Sequence, residues 1–219
     1  MFPTSTHIVL AILTALAAGL AIWGHAPSRR AVHLVCKPLA MLFILAAVLV
    51  LDTAAPGRYR LWVVVALVLS VAGDVLLMLA DRLFAAGLGA FLLALVAYQV
   101  ALATPVVGSL ELFACLLYPL APALFVLGSL WPRLGRLKPA VLFYVAAMTG
   151  MVTLAIARTQ GSAVSTLSAA CGVAGASLFM LSDSLVACRR FTAPKAPYAV
   201  ELGSYFAAQW LLAATTWMT

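Results

Sequence analysis

Two aspartates stand inside long apolar runs of this sequence, Asp74 in "VAGDVLLML" and Asp183 in "LFMLSDSLVACRR". An ionisable side chain within a membrane span is costly, usually faces the protein interior and marks a functional site. Two coupled carboxyls whose acidities are pushed apart can act as general acid and general base. We therefore interpret the pair as a two-acid site. The simpler alternative is that each acid forms an ion pair. Asp74 would pair with Lys37 or Arg82, and Asp183 would pair with Arg189 or Arg190.

Five more polar residues are candidates for binding a substrate near the two acids: Lys37, Tyr144, Ser182, Tyr205 and Gln209. Tyr205 and Gln209 are four residues apart and therefore share a helix face. Ser182 precedes one acid and is interpreted as flanking polar support, not as a nucleophile. Glu201 begins its apolar run, where a carboxylate suits the helix dipole, and is a further candidate for lining the same pocket.

Metal chemistry and serine chemistry do not fit the sequence. All three histidines precede residue 34, and no His or Cys pair has ligand spacing within an apolar run. The chain has no GxSxG motif, and its four cysteines are scattered without a CxxC. We expect no metal and no cofactor, and cysteines that pack as small, free core residues.

The composition places these residues in lipid. Of the 219 residues, 66% are hydrophobic and 9% are charged, whereas a soluble domain carries about 25% charged residues. An integral membrane protein is therefore predicted. The net charge of +7 does not indicate nucleic acid binding, because the basic residues separate apolar runs and form no stripe.

Eight apolar runs approach the roughly 20 residues that a spanning helix needs. They cover about 8–24, 34–51, 61–80, 84–103, 110–130, 140–157, 164–187 and 198–217. The connections carry turn signals and charge, and none is long enough for a second domain. We predict an all-α polytopic fold, a bundle of eight transmembrane helices forming a single domain over residues 1–219. The first run lacks a preceding basic segment, which favours a retained span over a signal peptide.

The basic residues also predict an orientation. Ten of the thirteen lie in odd-numbered connections and three in even-numbered ones, so the odd connections are predicted to be cytoplasmic and both termini to lie outside. We expect residence in a bacterial inner membrane. At 1.5 Å per residue, Asp74 and Asp183 would then share a depth of roughly 8–9 Å from the cytoplasmic ends of their spans.

Two pairs of similar segments suggest an internal repeat. "CKPLAMLF" opens span two and "LKPAVLF" opens span six, while "AGDVLL" lies in span three and "LSDSLV" in span seven. The members of each pair are four spans apart, as in two parallel four-helix repeats.

The segments "KPLAMLF", "AGDVLLML", "FAAGLGAFLLALVAY", "GASLFMLSDSLVACRRF" and "SYFAAQ" occur in this order. Together they resemble the YhhN-like membrane family, whose characterised members are lysoplasmalogenases. The resemblance implies an eight-helix hydrolase that cleaves the vinyl ether bond of lysoplasmenylethanolamine or lysoplasmenylcholine into a fatty aldehyde and a glycerophospho-alcohol. The family's characteristic residues map onto Asp74, Asp183, Lys37, Pro38, Tyr205 and Gln209. One departure is Leu95, which stands where family members often carry a histidine.

The implied chemistry suits two carboxyls. A vinyl ether hydrolyses when its β-carbon is protonated and water captures the resulting oxocarbenium ion. The first step needs a carboxyl in its neutral form, which burial favours, and the second benefits from a carboxylate. Asp74 and Asp183 are expected to divide these roles, in either order, with Lys37 contacting the lipid phosphate.

Two other classes of function remain open. A small proton-coupled lipid or solute transporter could use the same aspartates as a relay, and a non-enzymatic lipid-binding protein would tolerate the loss of both. A hydrolase turns over in detergent micelles, whereas a transporter does not. The expected partners are a lysophospholipid substrate and the lipid bilayer.

Overall fold

Eight α-helices form the described part of the chain, which in this computed structural model comprises residues 5–51, 55–79, 81–103, 109–161, 164–192 and 197–218. They are α1 (Ser5–Trp23), α2 (Arg30–Val50), α3 (Gly57–Leu79), α4 (Phe84–Leu102), α5 (Ser109–Leu130), α6 (Lys138–Ala157), α7 (Thr166–Phe191) and α8 (Tyr198–Ala214). Each overlaps one predicted run, which confirms the all-helical membrane class. Seven helices, α1 to α7, are long and apolar enough to cross a membrane, while α8 has 17 residues.

Two helix ends differ from the predicted ones in ways that affect the site. α2 begins at Arg30, so Lys37 lies inside the helix and not in its first turn. α7 continues to Phe191, and the two arginines of its last turn suit the negative end of the helix dipole. At 1.5 Å per residue, Asp74 is about 8 Å and Asp183 about 12 Å from its helix end, so these ends do not give the acids one depth.

Three charged residues of the connections cannot be placed. Asp52 and Lys195 lie outside the described residues, and so does the side chain of Asp81.

The packing places α8 at the centre of the bundle and leaves α1 and α5 outside. Consecutive helices pack together within the groups α1–α4 and α5–α8. α8 also contacts α1, α2 and α3, and α4 contacts α6. Only 17% of the span is buried in α1 and in α5. The exposed apolar side chains of these two helices are therefore suited to contact lipid.

Two glycines permit close contacts between helices. A Cβ atom on Gly73 would lie 2.7 Å from the ring of Phe91, so this glycine lets α3 approach α4. A Cβ atom on Gly175 would lie 2.9 Å from Cγ of Leu212 and 3.0 Å from its backbone nitrogen, so α7 approaches α8 in the same way. The first contact joins the helix of Asp74 to α4, and the second joins the helix of Asp183 to that of Tyr205.

Candidate functional site

A cavity of about 140 Å³ lies between the helices and brings the predicted site together. Six of the seven predicted site residues line it: Lys37, Asp74, Tyr144, Ser182, Asp183 and Tyr205. They come from α2, α3, α6, α7 and α8. The remaining wall is largely apolar and includes Leu88, Val126 and Met148 of α4, α5 and α6. The cavity therefore joins a polar end, which contains Asp74 and Asp183, to an apolar space.

Asp74 is buried and held by two partners. Its Oδ1 atom lies 2.8 Å from the Lys37 ammonium nitrogen, and its Oδ2 atom accepts a hydrogen bond of 2.7 Å from the Tyr205 hydroxyl. The side chain is 1% exposed. The ion pair with Lys37 was the simpler alternative from the sequence and is confirmed, but it lies in the cavity wall beside the second acid. Both oxygens of this carboxylate are thus satisfied, as a buried charge requires.

Tyr205 is fixed by its neighbours. Its ring meets the rings of Phe91 and Phe179 edge to face, with both centroid distances 6.0 Å, and such contacts restrict the ring orientation. Its hydroxyl also interacts with the side chain of Gln209. Gln209 in turn accepts a hydrogen bond of 2.6 Å from the Tyr98 hydroxyl through Oε1.

Gln209 is the predicted site residue that does not line the cavity. It is fully buried behind the wall, between Tyr98 and Tyr205. The spacing of four residues correctly predicts that Tyr205 and Gln209 lie together. Gln209 lies behind Tyr205, where it can orient the Tyr205 side chain without lining the cavity itself.

Asp183 has a different environment from Asp74. Its Oδ2 atom accepts a hydrogen bond from the Tyr144 hydroxyl. The ion pair with Arg189 that the sequence left open is wrong, because Arg189 pairs with Glu201 instead. The guanidinium of Arg190 lies over the ring of Phe84, 4.9 Å from its centroid. Asp74 is therefore held by an ammonium and Asp183 by a phenol.

The Arg189–Glu201 pair connects the end of α7 to the start of α8. Nε of Arg189 lies 2.8 Å from Oε2, and Nη2 donates to Oε1 at 3.0 Å. Glu201 also lines the cavity, as the sequence suggested. Its pairing with Arg189 was missed, although the signal was present: a basic last turn and an acidic first turn flank one short connection.

Ser182 also links these two helices. Its hydroxyl donates to the backbone oxygen of Glu201 at 3.0 Å, and its side chain is buried. This hydrogen bond agrees with the interpretation of Ser182 as polar support. Its predicted role in substrate binding stays a prediction.

Leu95 occupies the position at which the resemblance expects a histidine. It is fully buried in the core on α4 and is not part of the cavity wall. The residue at this position therefore contributes to packing in this chain.

Comparison with known proteins identifies one family. The model of the YhhN family matches residues 32–216. No match was found among curated proteins or among solved structures. The matched range runs from α2 to the end of α8 and contains every residue of the cavity described above.

Proposed function

Because the chain belongs to the YhhN family, we propose that it is a membrane hydrolase that cleaves the vinyl ether bond of lysoplasmalogens. The products are a fatty aldehyde and a glycerophospho-alcohol. The observation that carries this proposal is that Asp74 and Asp183 line one largely apolar cavity, with Asp74 held by an ammonium and Asp183 by a phenol.

The different partners support different roles for the two acids. An ammonium at 2.8 Å stabilises the ionised form of Asp74. Asp183 is held by a neutral hydroxyl in a partly buried, largely apolar site, where the neutral form of a carboxyl is favoured over the charged one. Asp183 is therefore the general acid, and Asp74 is the carboxylate that acts as general base.

The reaction then proceeds in two steps. Asp183 transfers its proton to the β-carbon of the vinyl ether, which leaves an oxocarbenium ion and the Asp183 carboxylate. Asp74 accepts a proton from water while the water oxygen attacks the cation and forms a hemiacetal. The hemiacetal collapses to the aldehyde and the free alcohol, and the proton from water replaces the one that Asp183 gave up.

The neighbouring groups support both steps. The Tyr144 hydroxyl stabilises the carboxylate formed on Asp183, because a donor to an ionised oxygen makes a stronger hydrogen bond. The negative charge of Asp74 stabilises the oxocarbenium ion. The apolar wall accommodates the hydrocarbon chain and excludes bulk water, which strengthens these electrostatic interactions.

The test uses purified protein in micelles and the variants Asp74→Asn and Asp183→Asn. Each is expected to lose aldehyde release from lysoplasmenylethanolamine while remaining folded by size-exclusion chromatography. Glu111→Gln is the matched control, since this carboxylate lies in the first turn of α5, is exposed and is not part of the cavity wall. It should retain full activity.

Substrate controls separate this function from its alternatives. Diacyl, lyso-ester and alkyl-ether lipids should release no aldehyde. A transporter would bind lipid in micelles without turnover, so a folded wild-type protein that releases no aldehyde would contradict the hydrolase proposal. Full activity of either aspartate variant would contradict the two-acid mechanism.

The same proposal includes the membrane topology. Eight spans in two parallel four-helix repeats would place both termini outside the cytoplasm of a bacterial inner membrane. The helix contacts support such a repeat, because α2 packs on α8 and α4 packs on α6. In a repeat, α2 corresponds to α6 and α4 to α8, so these two contacts are equivalent. The lysine pair of the repeat is less alike, because Lys37 binds Asp74 whereas Lys138 lies over Trp131.

A further inference from the structure

A second cavity of about 390 Å³ lies beside the first, where the α1–α2 connection meets the end of α7 and the start of α8. Three cations, Arg30, Lys37 and Arg189, line it together with one carboxylate, Glu201. Lys37 and Glu201 also line the first cavity, so the two spaces share a wall. The second cavity therefore carries an excess of positive charge.

An aromatic wall fixes the shape of this cavity. Nδ1 of His33 lies 2.8 Å from the backbone oxygen of Ala21, and a carbonyl oxygen only accepts, so Nδ1 carries the proton. In the neutral ring Nε2 then accepts from the Tyr198 hydroxyl at 3.1 Å. His25 stacks on the Tyr198 ring with centroids 3.4 Å apart. The hydrogen-bonding groups of His33 and Tyr198 are thus satisfied within the protein.

The charge of the cavity comes from its cations. Burial, together with nearby cations that include Arg189 and Lys37, lowers the pKa of His25, which lies in the α1–α2 connection. Arg189 and Lys37 each already bind one carboxylate. Arg30 is exposed and takes part in neither of these two ion pairs of the described residues. It is the cation best placed to bind an anion that enters from water.

We propose that this second cavity binds the phosphodiester of the lysophospholipid headgroup through Arg30 and Lys37, while the first cavity holds the vinyl ether and the hydrocarbon chain. This assignment rests on the proposed function. Arg30 and Lys37 are seven residues apart on one face of α2, about 10 Å along the axis. Seven bonds separate the β-carbon of the vinyl ether from phosphorus, about 8 Å for an extended chain. Lys37 lines both cavities, so the vinyl ether and the phosphate of one lysoplasmalogen can lie on the two sides of the shared wall.

The test compares Arg30→Gln with Arg29→Gln in micelles. Both variants remove one exposed arginine, but Arg29 lies over Trp23, 4.0 Å from the ring centroid, and does not line the cavity. The two substrates are lysoplasmenylethanolamine and the matching 1-alkenylglycerol, which lacks the phosphate. Wild type and Arg29→Gln should prefer the phosphate-bearing substrate. Arg30→Gln should raise the KM for lysoplasmenylethanolamine about tenfold relative to the KM for the alkenylglycerol. A tenfold change corresponds to the loss of a charge-assisted hydrogen bond of about 1.4 kcal/mol.

A binding measurement keeps this proposal separate from the hydrolase proposal. Thermal unfolding of the purified protein is followed with glycerophosphoethanolamine, with inorganic phosphate and with glycerol. Stabilisation by glycerophosphoethanolamine that Arg30→Gln removes and Arg29→Gln retains would support the headgroup site even if neither substrate were hydrolysed. Equal stabilisation by inorganic phosphate would identify free phosphate as the ligand and overturn the headgroup assignment. Equal effects of the two arginine variants would show a general effect of surface charge and overturn the site.

Discussion

Replacing Tyr144 by phenylalanine removes one hydroxyl from the first cavity and leaves the ring in place. That hydroxyl donates to Asp183. In the proposed mechanism it stabilises the carboxylate that Asp183 becomes in the protonation step. A hydrogen bond to a charged group contributes about 1.5–3 kcal/mol. Because each 1.36 kcal/mol changes a rate tenfold, kcat should fall by about 10- to 150-fold. KM should change little, since the interaction strengthens only as charge develops on Asp183.

The assay is aldehyde release by purified Tyr144→Phe protein in micelles, with kcat and KM determined separately. Tyr118→Phe is the matched control, because it removes the same hydroxyl group from a tyrosine outside the cavity. Tyr118 lies on α5 and is 63% exposed. It should keep the wild-type kcat. A folded Tyr144→Phe protein with kcat within twofold of wild type would refute the assignment of Asp183 as the acid that Tyr144 assists.

Two further predictions concern stability, measured by thermal unfolding in micelles. Lys37→Met should lower Tm strongly, because removing one partner of a buried ion pair costs about 3–5 kcal/mol; the double variant Lys37→Met/Asp74→Asn should recover part of the loss, and no recovery would contradict the pairing. Gly175→Ala should also lower Tm, because its Cβ would meet Leu212 of α8 at 2.9 Å. Such overpacking costs about 1–3 kcal/mol. Gly203→Ala, which meets nothing within 4 Å, should not lower it, and equal effects of the two alanines would argue against this contact.

The membrane class and the helix positions could be predicted from the sequence because they depend on local properties. Hydropathy over about 20 residues identifies a span wherever it packs. The cost of a carboxyl in an apolar run likewise singles out Asp74 and Asp183 without knowledge of their neighbours. These two signals predict the helical bundle and the two acids at the polar end of the cavity.

The partners of the two acids could not be predicted in the same way. Tyr144 and Asp183 lie on different helices, as do Tyr205 and Asp74, so their contacts depend on helix packing and not on spacing along one helix. Gln209 shows the limit of spacing: its helix face was predicted correctly, but its depth behind the wall depends on α4 and Tyr98.

The second cavity could not be predicted from the sequence, because the spacing of the histidines along the chain bears only on metal binding. His25 and His33 contact Tyr198, which is more than 160 residues further along the chain. A search within single apolar runs cannot detect such a group. The basic residues beside the second cavity predict the orientation of the spans. Their positions along the chain do not indicate that Arg30 and Arg189 both line this cavity.

The wall shared by the two cavities, to which Lys37 and Glu201 contribute, separates an apolar space from a positively charged one. The products of the proposed reaction differ in the same way, since a fatty aldehyde partitions into lipid and a glycerophospho-alcohol dissolves in water. Cleavage across this wall would leave each product on the side that suits its own solvent. Neither product would then have to pass the other to leave, so hydrolysis would also sort the two halves of the lipid between membrane and water.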